Sequence, residues 1–459
     1  MAEAAHASPT PLAWSRLRAL VRAGLAHSAY PLAVASMLGG FVALAAWDAA
    51  QYDWIRGYDA WHNSLYADVI QRDLRLPTPA ETDVWHTPPF FFALAAGAQA
   101  VSAGVGWPAD PHQAVQALNV VASLGVVLLS FLLARELFPR SRTVQLAALA
   151  FAALTPVLVR ATVMYHPEPV ATLLAMAALY VVVRTLARQR GGLAAGALAG
   201  VLIGLASLTR TWALPVAVAL CLALAAGWRF GRDPRMLRTA GALLAVAATI
   251  AAPWLVRQQV VHGSPLAFNR PEPEQPLLER RPAEFYTGLA LADVFTKPYA
   301  PHYLNRLLPT VYTDWWGDYW RYFDLPYEQI NLPERLERSD ERPRALQSVA
   351  GVLPSLLMAA GFAALLVQGI RRRSAPLLAV TGPVLLLGLS YLLFQQRFPA
   401  QDGDTTKAIY LLDAAVPLAV AGGFALDAVR RAGRLVFAAT LLLLLDSVYL
   451  TVRFLVLPA

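Results

Sequence analysis

The chain has 459 residues, of which 57% are hydrophobic and 15% charged. A soluble globular domain is about 45–50% apolar and about 25% charged, so a water-soluble fold is excluded. The net charge of +8 does not signal a nucleic-acid partner, because the basic residues fall in short clusters between long apolar runs.

In chain order, an arginine-bearing cytoplasmic arm, 1–29, holds Arg16, Arg18 and Arg22 and precedes a first apolar run at 30–48. That run ends in Trp47 and Asp48 with no small-residue cleavage pattern, so it reads as an uncleaved first span rather than a signal peptide. Further spans are predicted near 114–134, 143–160, 168–184, 191–208, 212–228, 239–255, 346–370, 375–394, 409–428 and 435–454. Each approaches the roughly 20 apolar residues that cross a bilayer. No strand-like alternation competes, so the spans should be helices. The expectation is an all-α polytopic membrane protein of about eleven transmembrane helices, with outer-face loops and juxtamembrane helices.

With the N-terminus inside, these eleven spans put six arginine clusters on the cytoplasmic side. The others are Arg135, Arg140 and Arg142; Arg184, Arg188 and Arg190; Arg229, Arg232, Arg235 and Arg238; Arg371 to Arg373; and Arg430, Arg431 and Arg434. The apolar run 88–106 would invert every later cluster if it crossed, so it is read as a re-entrant or interfacial helix on the outer face. The organisation is then an N-terminal transmembrane module, 30–255, with an outer loop at 49–113; a proline- and aromatic-rich outer region, 256–345; and a C-terminal transmembrane module, 346–459. The lone Cys221 permits no disulfide and no thiolate metal site, and reads as a small buried residue. The small-residue stretch 196–204 could pack against this chain or another.

The first outer loop brings an acid, two histidines and several aromatics just beyond the membrane surface. Asp59 and His62 share a helix face. A carboxylate there can take a proton from an acceptor hydroxyl, and with His86 the same face could ligate a divalent metal. An aromatic and polar interfacial belt is the plainer reading. Thr209-Arg210-Thr211-Trp212 places an arginine on the outer side, against the charge rule. It suits a lipid-linked phosphate, or an ion pair with Asp59 or Glu168. The segment 314–322 concentrates tryptophans and tyrosines around Asp318. Trp316 could stack on a sugar ring and Asp318 bond its hydroxyls, or the group could simply be buried aromatics. Asp413, Asp427 and Asp446 lie in late spans, where a carboxylate costs roughly 3 kcal/mol on insertion scales, and should face a partner or an interface.

The order Gly57-Tyr58-Asp59-x-x-His62-x-x-x-Tyr66, then Leu76-Pro77, then His86-x-Pro88-Pro89-Phe90-Phe91-Phe92 resembles the first outer loop of GT-C fold glycosyltransferases. These use polyprenyl-phosphate sugars and include the protein O-mannosyltransferase and aminoarabinose transferase branch. The resemblance implies that Asp59 is the catalytic base and that His86 and Thr87 line the pocket. Many relatives carry Asp-Glu where this chain has Asp59-Ala60. It further implies a role in metal or substrate binding for His166 and Glu168, although the Asp-x-Asp form is absent. Pro253-Trp254-x-x-Arg257 also resembles the family, and Arg257 would face phosphate or anchor at the headgroups. Lys407 and Tyr410 precede a Leu-Leu-x-x-x-x-Pro pattern ending at Pro417, which gives Lys407 the donor phosphate. Lys407 is one of only two lysines, with Lys297.

The function so implied is an inverting transfer of one sugar from a polyprenyl-phosphate donor to a protein, lipid or glycan acceptor. It would take place on the outer face of a cell membrane, among membrane lipids. A magnesium, manganese or zinc ion would be held by Asp59, His86, His166 and Glu168. A transporter or flippase of lipid-linked sugars is the alternative. It would show charges at mid-span and inverted repeats, neither of which is evident.

Overall fold

The structure is a computed structural model that describes residues 11–106, 110–323, 341–400 and 403–455. The part of the outer region at 324–340 therefore lies outside the described residues. Among those described there is no strand.

Ten helices precede the long outer region. They are α1 (Pro11–Gln51), α2 (Ala60–Asp73), α3 (Phe90–Gly104), α4 (Gln113–Leu137), α5 (Arg142–Ala153), α6 (Pro156–Val163), α7 (Glu168–Arg188), α8 (Leu193–Ser207), α9 (Ala213–Gly231) and α10 (Arg235–His262). The outer region contributes short helices α11 (Ala283–Thr287), α12 (Leu291–Val294) and α13 (Leu307–Trp316). Then follow α14 (Glu341–Ala350), α15 (Val352–Arg371), α16 (Ala375–Arg397), a 3₁₀ turn at Ala408–Ala414, α17 (Ala415–Ala432) and α18 (Arg434–Leu455).

Nine helices among the described residues are long and apolar enough to cross a membrane. The predicted span 143–160 is the bent pair α5 and α6, which meet at 51°. Pro156 at the start of α6 explains the break, since it offers no amide proton to continue α5. The predicted span 191–208 is α8, only 15 residues long. The awkward run 88–106 is α3, also 15 residues, short of the roughly 20 needed to cross. It packs on α2 through the stacked rings of Tyr66 and Phe92, 3.9 Å apart, and the Phe90 amide donates to Leu208 O at the end of α8.

The core runs through α4, α5, α7, α9, α16 and α17, where Val126, Leu149, Leu179, Val182, Leu220, Val380 and Val420 are buried. Without a hydrophobic drive between helices in lipid, small residues at seams let backbones close. A Cβ on Gly196, Gly200 or Gly204 of α8 would meet α10 at Thr239 O, Leu243 O or Ile250 Cβ within 2.3, 2.8 and 2.7 Å. The small-residue stretch is thus spent inside the chain. At Gly361 of α15 a Cβ would lie 1.9 Å from Ala421 O of α17.

Alternation of the helices sorts their ends. Arg135, Arg188, Arg229, Arg371 and Arg430 lie in last turns at one end of the bundle. There Arg188 meets Glu136, 2.7 Å between Nε and Oε1. Asp59, Glu168, Arg210 and Lys407 lie at the other end, between α1 and α2, at the start of α7, between α8 and α9, and before the 3₁₀ turn.

Candidate functional site

At that second end a cavity of about 560 Å³ opens. Its polar side is lined by Asp59, His62, Asp83, His86, Arg210, Arg270, Arg397 and Asp404. Its apolar side is lined by Leu214, Pro215 and Val218 of α9, Leu393 and Phe394 of α16, and Trp254 of α10. Val218 and Leu393 are each 51% exposed, on helices long and apolar enough to cross a membrane. The cavity therefore joins a charged chamber to an apolar flank between helices.

Asp59 caps α2 with φ +52°, a left-handed conformation that a short polar side chain tolerates better than most. Gly57, two residues earlier, has φ +108°, and its missing Cβ would press on Met164 at 3.0 Å. The chain thus turns sharply at the end of α1 and presents the Asp59 carboxylate to the cavity. Its side chain is one-third exposed.

Lys407 Nζ lies 3.5 Å from Asp59 Oδ2 and 2.7 Å from Asp404 Oδ1, with the lysine itself buried behind the two acids. Burial alone would raise the Asp59 pKa. Lys407, then His166 and Arg210, more than offset this and hold it at about 2. The same opposition acts on Lys407, where burial would lower the pKa and Asp59 and other neighbours raise it well above the usual lysine value. The pair stays charged in the absence of substrate.

Behind it, Arg210 Nε lies 2.6 Å from Glu168 Oε1, and His166 Nδ1 meets Glu168 Oε2. Arg210 also reaches Thr87 Oγ1 at 3.4 Å and stands over the Tyr410 ring, 5.9 Å to its centre. The ion-pair reading of Arg210 thus holds while the guanidinium still lines the cavity. His62 Nε2 lies 3.4 Å from Asp83 Oδ2. The His86 ring stands edge-on to Phe268 at 4.6 Å. Burial first, and then Arg210, push His86 down to about 4, so it is neutral near pH 7. Tyr410 stacks on Trp212, 5.6 Å and 24°.

The structure brings Asp59, His62, His86, Arg210 and Tyr410 to one cavity, with Lys407, His166 and Glu168 directly behind. It does not bring the rest. Arg257 lies over Trp254, 5.5 Å from its ring centre, but is not among the lining residues. Trp316 is buried and donates to Ser355 Oγ at 2.6 Å. Asp318 is wholly buried against Arg160 at 3.2 Å. The late aspartates divide. Asp413 accepts from Thr172 at 2.6 Å, Asp427 pairs with Arg430 and Arg431, and Asp446 is exposed on α18. Asp83, Asp404, Phe268 and Arg270 were not foreseen. Asp404 lies three residues before Lys407, but only Lys407 and Tyr410 carry a signal there in the sequence.

The four proposed metal ligands do not form a ligand set. Both Glu168 oxygens already face His166 and Arg210, and Asp59 faces Lys407. Among the described residues no group of three His, Cys, Asp or Glu side chains converges.

Residues 86–256 match the family model described as dolichyl-phosphate-mannose-protein mannosyltransferase. An oligosaccharyltransferase from Archaeoglobus fulgidus, solved with zinc and sulfate, superimposes over 92% of this chain and 53% of its own, with TM-score 0.56 and 16% identity. ArnT from Cupriavidus metallidurans in the apo state superimposes over 88% and 60%, with TM-score 0.50 and 16% identity.

The chain has the GT-C fold.

It spans a little over half the length of those two proteins. No curated protein matches it in sequence. The family-model match begins at His86 and ends at Val256. On this GT-C bundle it covers α3 through most of α10, and therefore Glu168, Arg210 and the α9 flank of the cavity.

Proposed function

We propose that this GT-C protein is a glycosyltransferase that moves one sugar from a polyprenyl-phosphate donor to an acceptor hydroxyl, with inversion and with Asp59 as general base. The observation that carries the reading is the join between a charged chamber and an apolar, lipid-facing flank. The donor needs both, a prenyl tail for α9 and α16 and a phosphate for a buried cation.

In the transfer the acceptor hydroxyl gives its proton to Asp59. Its oxygen bonds to the anomeric carbon as the bond from that carbon to phosphate oxygen breaks. The electron pair leaves on the prenyl phosphate. Lys407 and Arg210 would neutralise that charge. This path needs one base and no covalent intermediate, and no step is routed through a metal.

The arginine-rich end of the bundle is the cytoplasmic side on this reading, so transfer takes place on the outer face of a cell membrane. The family match and the GT-C fold support the sugar-transfer class. The identity of sugar and acceptor is left to the assay.

The test uses purified protein in liposomes with a panel of radiolabelled polyprenyl-phosphate sugars, scored for release of sugar from lipid. Wild type should consume one donor, and Asp59→Asn should be slower by roughly a hundred- to ten-thousandfold. If neither protein consumes any donor but labelled lipid crosses the bilayer, a flippase replaces the enzyme. If both consume donor equally, Asp59 is not the base.

A further inference from the structure

A buried carboxylate that no part of the transfer uses ties together the two residues that the transfer needs. Asp314, near the end of α13, is wholly buried. Its Oδ1 accepts from the Tyr58 hydroxyl at 2.5 Å and its Oδ2 from the Ala408 amide at 2.7 Å. Tyr58 is the residue before Asp59, and Ala408 is the residue after Lys407. One carboxylate therefore ties the side chain of the residue before Asp59 to the backbone of the residue after Lys407, with 348 positions between Asp59 and Lys407.

Its own charge is met by Arg160 of α6, whose Nη2 lies 3.1 Å from Oδ1 and also meets the Asp314 carbonyl oxygen. Arg160 Nη1 reaches Tyr58 Oη and Asp318 Oδ1, each at 3.2 Å. Asp318 in turn accepts the amides of Tyr322 and Phe323 at 3.1 and 2.7 Å. Tyr322 closes on Tyr58 edge to face at 4.8 Å, and Lys407 Nζ lies over the Tyr58 ring at 5.4 Å.

We propose that Asp314 is a positioning residue that sets the separation of Asp59 from Lys407. The proposal rests on the transfer reading above. Asp59 sits in a left-handed conformation, and such a residue keeps its geometry only where its surroundings hold it, here through the buried Tyr58 beside it. At 3.5 Å the contact with Lys407 is looser than a close ion pair, so the lysine can let go. A donor phosphate can then draw the ammonium away and leave Asp59 as the stronger base that a hydroxyl requires. Asp314 fixes both ends of that gap without entering the cavity.

Asp314→Asn keeps the shape, but it offers an amide where Tyr58 or Ala408 presents a donor. It should lower kcat by about ten- to a hundredfold, the scale of a misplacement near 1 Å. It should also raise the pH at which activity is lost on the acid side. The charged or titratable groups that face Asp59 are Lys407, His166 and Arg210, with Tyr322 and Tyr410 beside them. His86 also faces Asp59, and of all these groups only Lys407 and Tyr410 lie on the segment that Asp314 holds at Ala408. A loss of folded protein alone would reduce the active fraction and leave the acid limb of the remainder unmoved. Tyr58→Phe removes the hydroxyl's bonds to Asp314 and Arg160, leaves the Ala408 tie, and keeps the ring under Lys407. It should give a smaller change in the same direction, and it carries the test if Asp314→Asn fails to fold.

A readout that needs no activity is cross-linking of Asp59→Cys with Lys407→Cys by a short bis-thiosulfonate reagent in membranes. Adding Tyr58→Phe or Asp314→Asn should slow it several-fold. Unchanged kcat, acid limb and cross-linking in both backgrounds would overturn the proposal. A wild type that releases no sugar sinks the transfer reading instead, and the cross-linking result then decides the positioning claim alone.

Discussion

On the proposed reading, the Asp59 carboxylate that takes the acceptor proton is first paired with Lys407, 3.5 Å away. In the free protein Lys407 keeps its carboxylate at about 2, so it is ionised throughout the physiological range but weakly basic. Once a phosphate engages Lys407, the Asp59 pKa should climb toward the ordinary carboxylate value of about 4. The profile of kcat/KM reports the free enzyme and that of kcat reports the complex. A depressed carboxylate stays charged until the pH falls through its lowered pKa. The acid limb of kcat should therefore lie at higher pH than that of kcat/KM, by up to about two units. Superimposed acid limbs would mean that Lys407 does not leave Asp59 when donor binds. The two residues concerned were legible in the sequence for different reasons. Asp59 sits in a motif with glycine and aromatics at fixed spacing, and Lys407 is a rare residue type in an arginine-rich chain. Arg160 and Asp314 were not. Arg160 lies inside an apolar run that reads as part of a span, and the partner that explains its charge is 154 positions away. Trp316 and Asp318 misled in the other direction. Aromatics and acids clustered in an outer loop suit a sugar, but here they fill a buried seat against Arg160 and Ser355.

The helices are held by close backbone contact as much as by side-chain bulk. Gly361→Val would drive a Cβ into Ala421 O, 1.9 Å away, with no flexible atom to yield. It should destabilise the bundle by about 1–3 kcal/mol, seen as a lower Tm in detergent. Gly388→Ala on α16 meets nothing within 4 Å and should leave Tm level or slightly raised. Equal behaviour of the two would mean that α15 and α17 are not pressed together there. Span positions were readable because apolar runs of transmembrane length have few other meanings. Their ends were less so. Helix α10 continues to His262, beyond the predicted boundary at 255, because Arg257 and the polar residues after it can stay helical at the headgroups. The break between α5 and α6 was passed over, since a proline inside an apolar run changes direction without changing composition.

At the scale of the whole protein, the cavity's position matters more than its contents. Its apolar flank lies between α9 and α16, where Val218 and Leu393 are exposed on helices of membrane-crossing length. A carrier that enters sideways would pass those residues. Val218→Trp should therefore raise KM for a long-chain donor by roughly tenfold, with much less effect on a donor cut to one or two isoprene units. An equal effect on both would place the entry elsewhere. The general plan, helices with a polar site gathered at one end, was legible from the alternation of arginine clusters. The sideways opening was not, because it depends on which faces of two distant spans are left uncovered.

Helix α8 is shorter than the other helices that lead to the chamber, α7 and α9. Its 15 residues rise about 22 Å, against a hydrocarbon core of about 30 Å, and it hands on directly to Thr209 and Arg210. On the proposed orientation, with α8 starting at the inner edge of the hydrocarbon, the floor of the chamber would sit below the outer lipid surface like a well. A prenyl carrier can bring its phosphate to the arginine without lifting its first isoprene out of the oil. Exposing each methylene to water would cost about 0.8 kcal/mol, so five carbons would forfeit about 4 kcal/mol of binding that the recessed floor lets the protein keep.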